Sequence, residues 1–101
     1  YGKNEEEKNY LSASPHFEPA LTEWLIKKQI GLIGVDTPII ENMEKPYSPV
    51  VKMFEANPDL LLLAPLFIDT KKVKTGIYTL SCLPLPVKNI SGSLCRAVLI
   101  K

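Results

Sequence analysis

The nine residues Leu60-Leu-Leu-Leu-Ala-Pro-Leu-Phe-Ile68 constrain this chain more than any other stretch, because they carry no charge and no hydrogen-bonding side chain. A membrane helix needs about 20 apolar residues, so this run must be buried inside protein instead. Its apolarity is continuous rather than alternating, which predicts a strand covered on both faces. Pro65 cannot donate to a strand ladder and therefore marks an edge, a bulge or the end of the strand. Gly31-Leu-Ile-Gly-Val-Asp-Thr-Pro38 has the same character. A short apolar run bounded by glycines and closed by proline predicts a second buried strand over 32–35.

Two helices are expected beside these strands. From Pro15 to Lys28, the residues Phe17, Ala20, Leu21, Trp24, Leu25 and Lys28 fall on one helical face, with Trp24 packed in the core. Ser14 can cap this helix with Pro15 in its first turn, or the helix begins nearer Pro19. Lys27 and Lys28 suit the negative end of the helix dipole, and Gly31 provides a stop. A second helix is expected from Pro49 to Ala56, with Val50, Met53 and Phe54 buried and Asn57-Pro58-Asp59 ending it. Two further strands are expected at Ile77–Leu85, with Tyr78, Leu80 and Cys82 on one face, and at Cys95–Ile100. The loop Pro86–Leu94 between them carries Ser91-Gly92-Ser93. Residues 1–14 are polar, with Glu5, Glu6 and Glu7 between Lys3 and Lys8, and read as a solvated surface segment.

The fold class is therefore α/β, a sheet with flanking helices, and it has a packing problem. Two helices of about 10–14 residues cover roughly one face of a four-stranded sheet. The other face would be an apolar patch larger than a monomer usually tolerates. The sequence thus predicts a partial domain, completed by a missing half, a partner subunit or both.

Composition excludes several function classes. The 101 residues include 12 Lys and Arg against 11 Asp and Glu, a net charge of +1, which offers no basic face for nucleic acid. No stretch is long enough to span a membrane, and no basic-then-apolar leader is visible, so a cytoplasmic location is expected. Cys82 and Cys95 lack metal-finger spacing and read as buried free thiols. With His16 the single histidine, the residues are too few for a zinc site.

The candidate site is Asp36-Thr37-Pro38. Ligand crevices of open α/β sheets form at the carboxyl ends of strands, where these residues fall. Asp-Thr-Pro is equally good turn chemistry, so the motif marks a candidate pocket and no more. Glu41 and Glu44 in the next loop are expected to face solvent.

Four segments, in order, resemble the C-terminal half of the cyclase family that includes the bacterial kynurenine formamidases. They are Ser14-Pro-His-Phe with Leu21-Thr-Glu-Trp-Leu25, then Gly31-Leu-Ile-Gly-Val-Asp-Thr-Pro38, Ser81-Cys-Leu-Pro-Leu-Pro-Val87, and Ser91-Gly-Ser-Leu-Cys-Arg-Ala-Val98. The resemblance covers residues 1–101. It implies a swivelling β/β/α-type fold, present here as half of one domain. It also implies metal-dependent hydrolysis of an amide or formamide bond in a small molecule, and assembly as a homo-oligomer or pairing with the N-terminal half. The family's divalent metal, zinc or manganese, would lower the pKa of a bound water and make hydroxide available. The His-x-Gly-Thr-His-x-Asp-x-Pro motif that holds this metal is not present here. By spacing from Leu83, the resemblance places a further family His near Lys52 and a Glu near Ala64, and neither residue can do that work. No catalytic residue or metal ligand is therefore carried over to this chain. Asp36, Thr37 and Pro38 are left as substrate-pocket candidates. A non-catalytic binding or structural module of the same fold is the alternative.

Overall fold

The first helix, α1 (Pro19–Lys27), opens at the later of the two prolines able to start it. Pro19 occupies the first turn, where the missing N–H would have had no intrahelical partner. The computed structural model describes residues 10–101, and residues 1–9 of the polar lead-in lie outside the described residues. Ser14, the other candidate cap, is buried instead. Its hydroxyl faces the carbonyl oxygens of Pro15 (3.3 Å) and Ile39 (3.4 Å).

The face that α1 buries differs from the expected one. Trp24 is 53% exposed and Leu21 is also exposed, whereas Thr22 is fully buried and Leu25 and Ile26 pack on the core. Phe17 and Leu25 pack on the core as expected, but the helix's stripe runs through Thr22, Leu25 and Ile26 and leaves Leu21 and Trp24 outside, a turn of about one residue around the axis. Thr22 tolerates burial because its hydroxyl donates to the Glu18 carbonyl at 3.2 Å. Lys28 Nζ lies 5.6 Å from the centroid of the exposed Trp24 ring. The helix stops at Gln29 rather than Gly31. Gln29 takes the left-handed position (φ 55°), and its N–H donates to the Ile26 carbonyl at 3.0 Å.

Strand β1 (Leu32–Gly34) follows. Helix α2 (Pro49–Ala56) has the expected bounds: Ser48 caps it by accepting from the Val51 N–H (3.2 Å), and extended Asn57 precedes Pro58. Its buried side is the expected one, with Met53 3% exposed and Val50 and Phe54 partly buried. Strand β2 (Leu61–Leu63) then runs parallel to β1, with Leu32 beside Leu61 and Gly34 beside Leu63. The expected strand Leu60–Ile68 is cut to three residues, and Leu61 is exposed rather than covered. Pro65 accounts for the early end, because it cannot donate to a ladder. The chain turns back at once, and Leu66 N–H donates to the Val35 carbonyl at 2.8 Å. Gly34 leaves room for the returning Leu66 side chain: a Cβ there would lie 2.7 Å from Leu66 Cδ1.

Among the described residues the buried apolar side chains are Ile40 (1% exposed), Met53 and Leu60 (5%), together with Pro49 in the first turn of α2. Phe17, Leu25, Ile26, Ile33 and Val35 pack around them. Ile40 belongs to no helix or strand. It sits in the loop between β1 and α2, where the Phe17 N–H donates to its carbonyl at 2.9 Å.

These elements form one compact unit ending at Ile68, and Asp69–Lys101 form another. The second unit begins with a turn in which Asp69 accepts from the Lys71, Lys72 and Val73 N–H groups. It then forms a hairpin of β3 (Thr79–Pro84) and β4 (Cys95–Ile100), paired antiparallel from Thr79–Ile100 to Pro84–Cys95. β4 has the expected bounds, and β3 is shorter than Ile77–Leu85 by three residues. Tyr78, Leu80 and Cys82 share the less exposed face, as their alternation implied. Ile77 is 97% exposed, and Leu83, Leu94, Val98 and Ile100 are exposed as well. In the first unit Phe67 is 95% exposed. The result is a small mixed α/β arrangement of two helices and two two-stranded sheets, with far more apolar surface outside than inside.

Candidate functional site

Asp36, Thr37 and Pro38 emerge where β1 ends, as the glycine-bounded run implied. The ladder continues one step past β1, through the Val35 N–H to the Leu63 carbonyl at 3.0 Å. Together with the Leu66–Val35 bond, this sets the Ala64–Pro65 turn beside the Val35–Asp36 step. Thr37 is buried, and its hydroxyl donates to the Ile39 carbonyl at 2.8 Å, closing a local turn. Ile40, next but one after Pro38, anchors that turn in the core. Asp36 is half-buried and already engaged in an interaction. The loop is therefore held from both sides. The Thr37 hydroxyl fixes the backbone, and Asp36 stands at the carboxyl end of a parallel strand, where such folds place ligands.

The two loop glutamates differ from each other. Glu41 does not simply face solvent: its Oε1 accepts from the Ser48 hydroxyl (3.0 Å) and the Val50 N–H (3.2 Å). It is a helix cap for α2, with its negative charge at the positive end of the helix dipole. Glu44 is exposed, as expected, and its N–H donates to Asn42 Oδ1 at 2.9 Å.

His16 lies at the surface beside α1. Nε2 lies 2.8 Å from Glu18 Oε1 and 3.4 Å from the Asn42 amide nitrogen. One ring nitrogen cannot donate to the carboxylate and accept from the amide at once. Which of the two contacts Nε2 makes as a hydrogen bond depends on the ring tautomer. This His16–Glu18–Asn42 cluster joins residues 26 apart in the chain. The only trace of it in the sequence is the His-x-Glu pair at the helix start.

A cavity lies elsewhere. A cleft of about 470 Å³ opens between the C-terminal ends of α1 and α2, lined by Leu25, Ile26, Ile33, Met53 and Leu60 with the amides of Gln29 and Asn57 at its rim. It lies where the two strands begin, whereas Asp36 follows the end of β1. Its walls hold no nucleophile, acid or base, so the cleft can bury apolar surface but supplies no reacting group. The candidate chemistry stays with the Asp36 loop.

Among the described residues, no group of three or more His, Cys, Asp or Glu side chains is placed to hold a metal ion. Lys52 is exposed on α2, and Ala64 is exposed just past β2. The described residues do not fit a catalytic divalent metal. No helix among them is long and apolar enough to cross a membrane.

Comparison with known proteins agrees with the motifs. Over 87 residues the chain is 33% identical to a kynurenine formamidase of Geobacillus thermodenitrificans (strain NG80-2), a stretch covering 86% of the chain and 40% of that protein. It is 35% identical over 80 residues to cyclase-like protein 1 of Oryza sativa subsp. japonica, covering 78% of the chain and 28% of the relative. A kynurenine formamidase of Erythrobacter litoralis (strain HTCC2594) is 34% identical over 77 residues, with 76% and 34% covered. No family model and no solved structure matches the chain. The chain spans well under half the length of these curated relatives. It is related in sequence to kynurenine formamidases and cyclase-like proteins, the group that its motifs resemble.

Proposed function

We propose that this chain is the C-terminal half of a cyclase-like domain of the swivelling β/β/α type. It works as part of a hydrolase that acts on an amide or formamide bond of a small molecule. The observation that carries this reading is the Asp36–Pro38 loop. It stands at the carboxyl end of a parallel strand, and the stretch similar to a kynurenine formamidase must include it. At most 14 of the 101 residues lie outside the 87 matched, so residues 15–87 are within. In this reading Asp36 and Pro38 line the substrate pocket, and the buried Thr37 hydroxyl holds the loop in shape.

The exposed apolar surface supports the second part of the proposal, that further protein covers these elements. A core built on Ile40, Met53 and Leu60 is small for so many exposed apolar side chains. That further protein, a second half or a partner copy, also has to supply whatever metal ligands the reaction uses. The chain's own contribution is a wall of the pocket.

A non-catalytic module of the same fold is the second reading, and Lys52 and Ala64 at the positions of the family's His and Glu favour it. One experiment separates the two. The 101-residue chain and its complete reading frame are purified, their metal content is measured by elemental analysis, and both are assayed with an N-formylated aromatic amine. The proposal expects the 101-residue chain to be metal-free and inactive, and the complete protein to carry one or two equivalents of metal and to hydrolyse the substrate. A complete protein without metal and without activity establishes the module. Hydrolysis by the 101 residues alone overturns the division of labour.

A further inference from the structure

We propose that Cys82 and Cys95 together form a two-thiolate site for one soft monovalent cation of the copper(I) type. The hairpin register places Cys82 opposite Ala97 and Cys95 opposite Pro84. Residues directly opposite share a face of the sheet, as do residues two apart along one strand. Both thiols therefore stand on the same face as diagonal neighbours, and both are free and half-buried.

The diagonal spacing separates a metal bridge from a disulfide. Diagonal neighbours in an antiparallel pair lie about 7–8 Å apart. A disulfide spans Cα atoms up to about 6.8 Å apart, so this register strains one. A bridging ion replaces one sulfur–sulfur bond of about 2.05 Å with two metal–sulfur bonds of about 2.3 Å. The bridge gains roughly 2.5 Å of reach, more than the diagonal demands.

The neighbours select the ion. The remaining paired positions on this face are Leu80, Pro84, Ala97 and Leu99, none of which ligates metal. Zinc takes four protein ligands in structural sites, and calcium and magnesium take oxygens. A soft ion content with two thiolates suits the pair, and thiolates favour copper(I). On binding, two S–H bonds break, two metal–sulfur bonds form, two protons pass to solvent, and the ion keeps its oxidation state. Binding therefore tightens as pH rises. The site is independent of the hydrolase reading, since it uses neither the Asp36 loop nor a divalent metal.

The test is an anaerobic titration of the reduced full chain with copper(I) against a chromogenic competing chelator. One equivalent per chain is expected. Binding should weaken at least tenfold in Cys82→Ser and in Cys95→Ser alike, and stay unchanged in Ser81→Ala on the opposite face. Because a variant can misfold, the unmodified chain is also titrated in urea, where losing the register should weaken binding at least tenfold. Several results overturn the proposal: no uptake, uptake that survives either cysteine replacement or urea, or one ion shared by two chains. Rapid closure of an internal disulfide by a mild oxidant, seen as a 2 Da loss in the intact mass, also overturns the spacing on which the site rests.

Discussion

Replacing Ile40 tests whether the loop carrying the candidate site is held by the core. Ile40 is 1% exposed, in a stretch with no regular secondary structure, two residues beyond Pro38. Truncation to alanine removes three buried carbons, worth about 0.8 kcal/mol each, or about 2.4 kcal/mol of transfer free energy. The cavity left between Met53, Leu60 and the surrounding side chains adds to this, giving about 3–4 kcal/mol in all. Ile40→Val should cost about 1 kcal/mol, and Met43→Ala, three positions on and 62% exposed, less than about 0.5 kcal/mol. Urea unfolding followed by far-UV circular dichroism is the suitable assay, because Trp24 is half exposed and its fluorescence reports burial poorly. At about 4–8 °C per kcal/mol for a domain this small, Ile40→Ala should also lower Tm by more than 10 °C. An Ile40→Ala cost below about 1 kcal/mol, or one equal to that of Met43→Ala, would falsify the anchoring role of this loop residue.

Other predictions rest on single contacts. Ser48→Ala removes both the cap on Val51 and the partner of Glu41, and should cost about 1 kcal/mol; in a double-mutant cycle its effect should fall by at least half when Glu41 is already alanine. Gly34→Ala forces Leu66 Cδ1 away from a 2.7 Å approach and should cost about 1 kcal/mol in urea unfolding. In a Leu66→Ala background the same change should be neutral or stabilising, and equal costs in both backgrounds would refute the close approach. Trp24→Ala should cost less than about 1 kcal/mol in the 101-residue chain, because the ring lies largely outside the core; a loss of 3 kcal/mol or more would restore the expectation that it is buried.

The parts of the fold legible in the sequence were those that local chemistry decides. α2 and β4 fall at their expected bounds because Ser48-Pro49, Asn57-Pro58 and an unbroken β-forming run mark them out. The Asp36 loop follows β1 because glycine, a short apolar run and proline leave few alternatives. What could not be read depended on shape. The same spacing that gave α1 an apolar face through Trp24 also permits one through Thr22, and a self-satisfied hydroxyl makes Thr22 the better fit. Leu60–Ile68 read as one long strand because apolarity does not reveal where backbone pairing stops, and Pro65 stops it at the third residue. Ile40 was missed as a core residue because it belongs to no periodic pattern. Glu41 was missed as a cap because its partners lie 7 and 9 residues away, beyond the span of any local capping rule.

The hairpin of β3 and β4 leaves the outer rim of each strand with backbone groups that no third strand takes up among the described residues. The rim of β4 (Cys-Arg-Ala-Val-Leu-Ile) has a single charge to repel a newcomer. Any strand that pairs with this rim gains a full ladder, including the same segment from a neighbouring molecule. Concentrating or freezing this polypeptide should therefore seed fibrous self-adhesion through β4, and Val98→Lys should delay it.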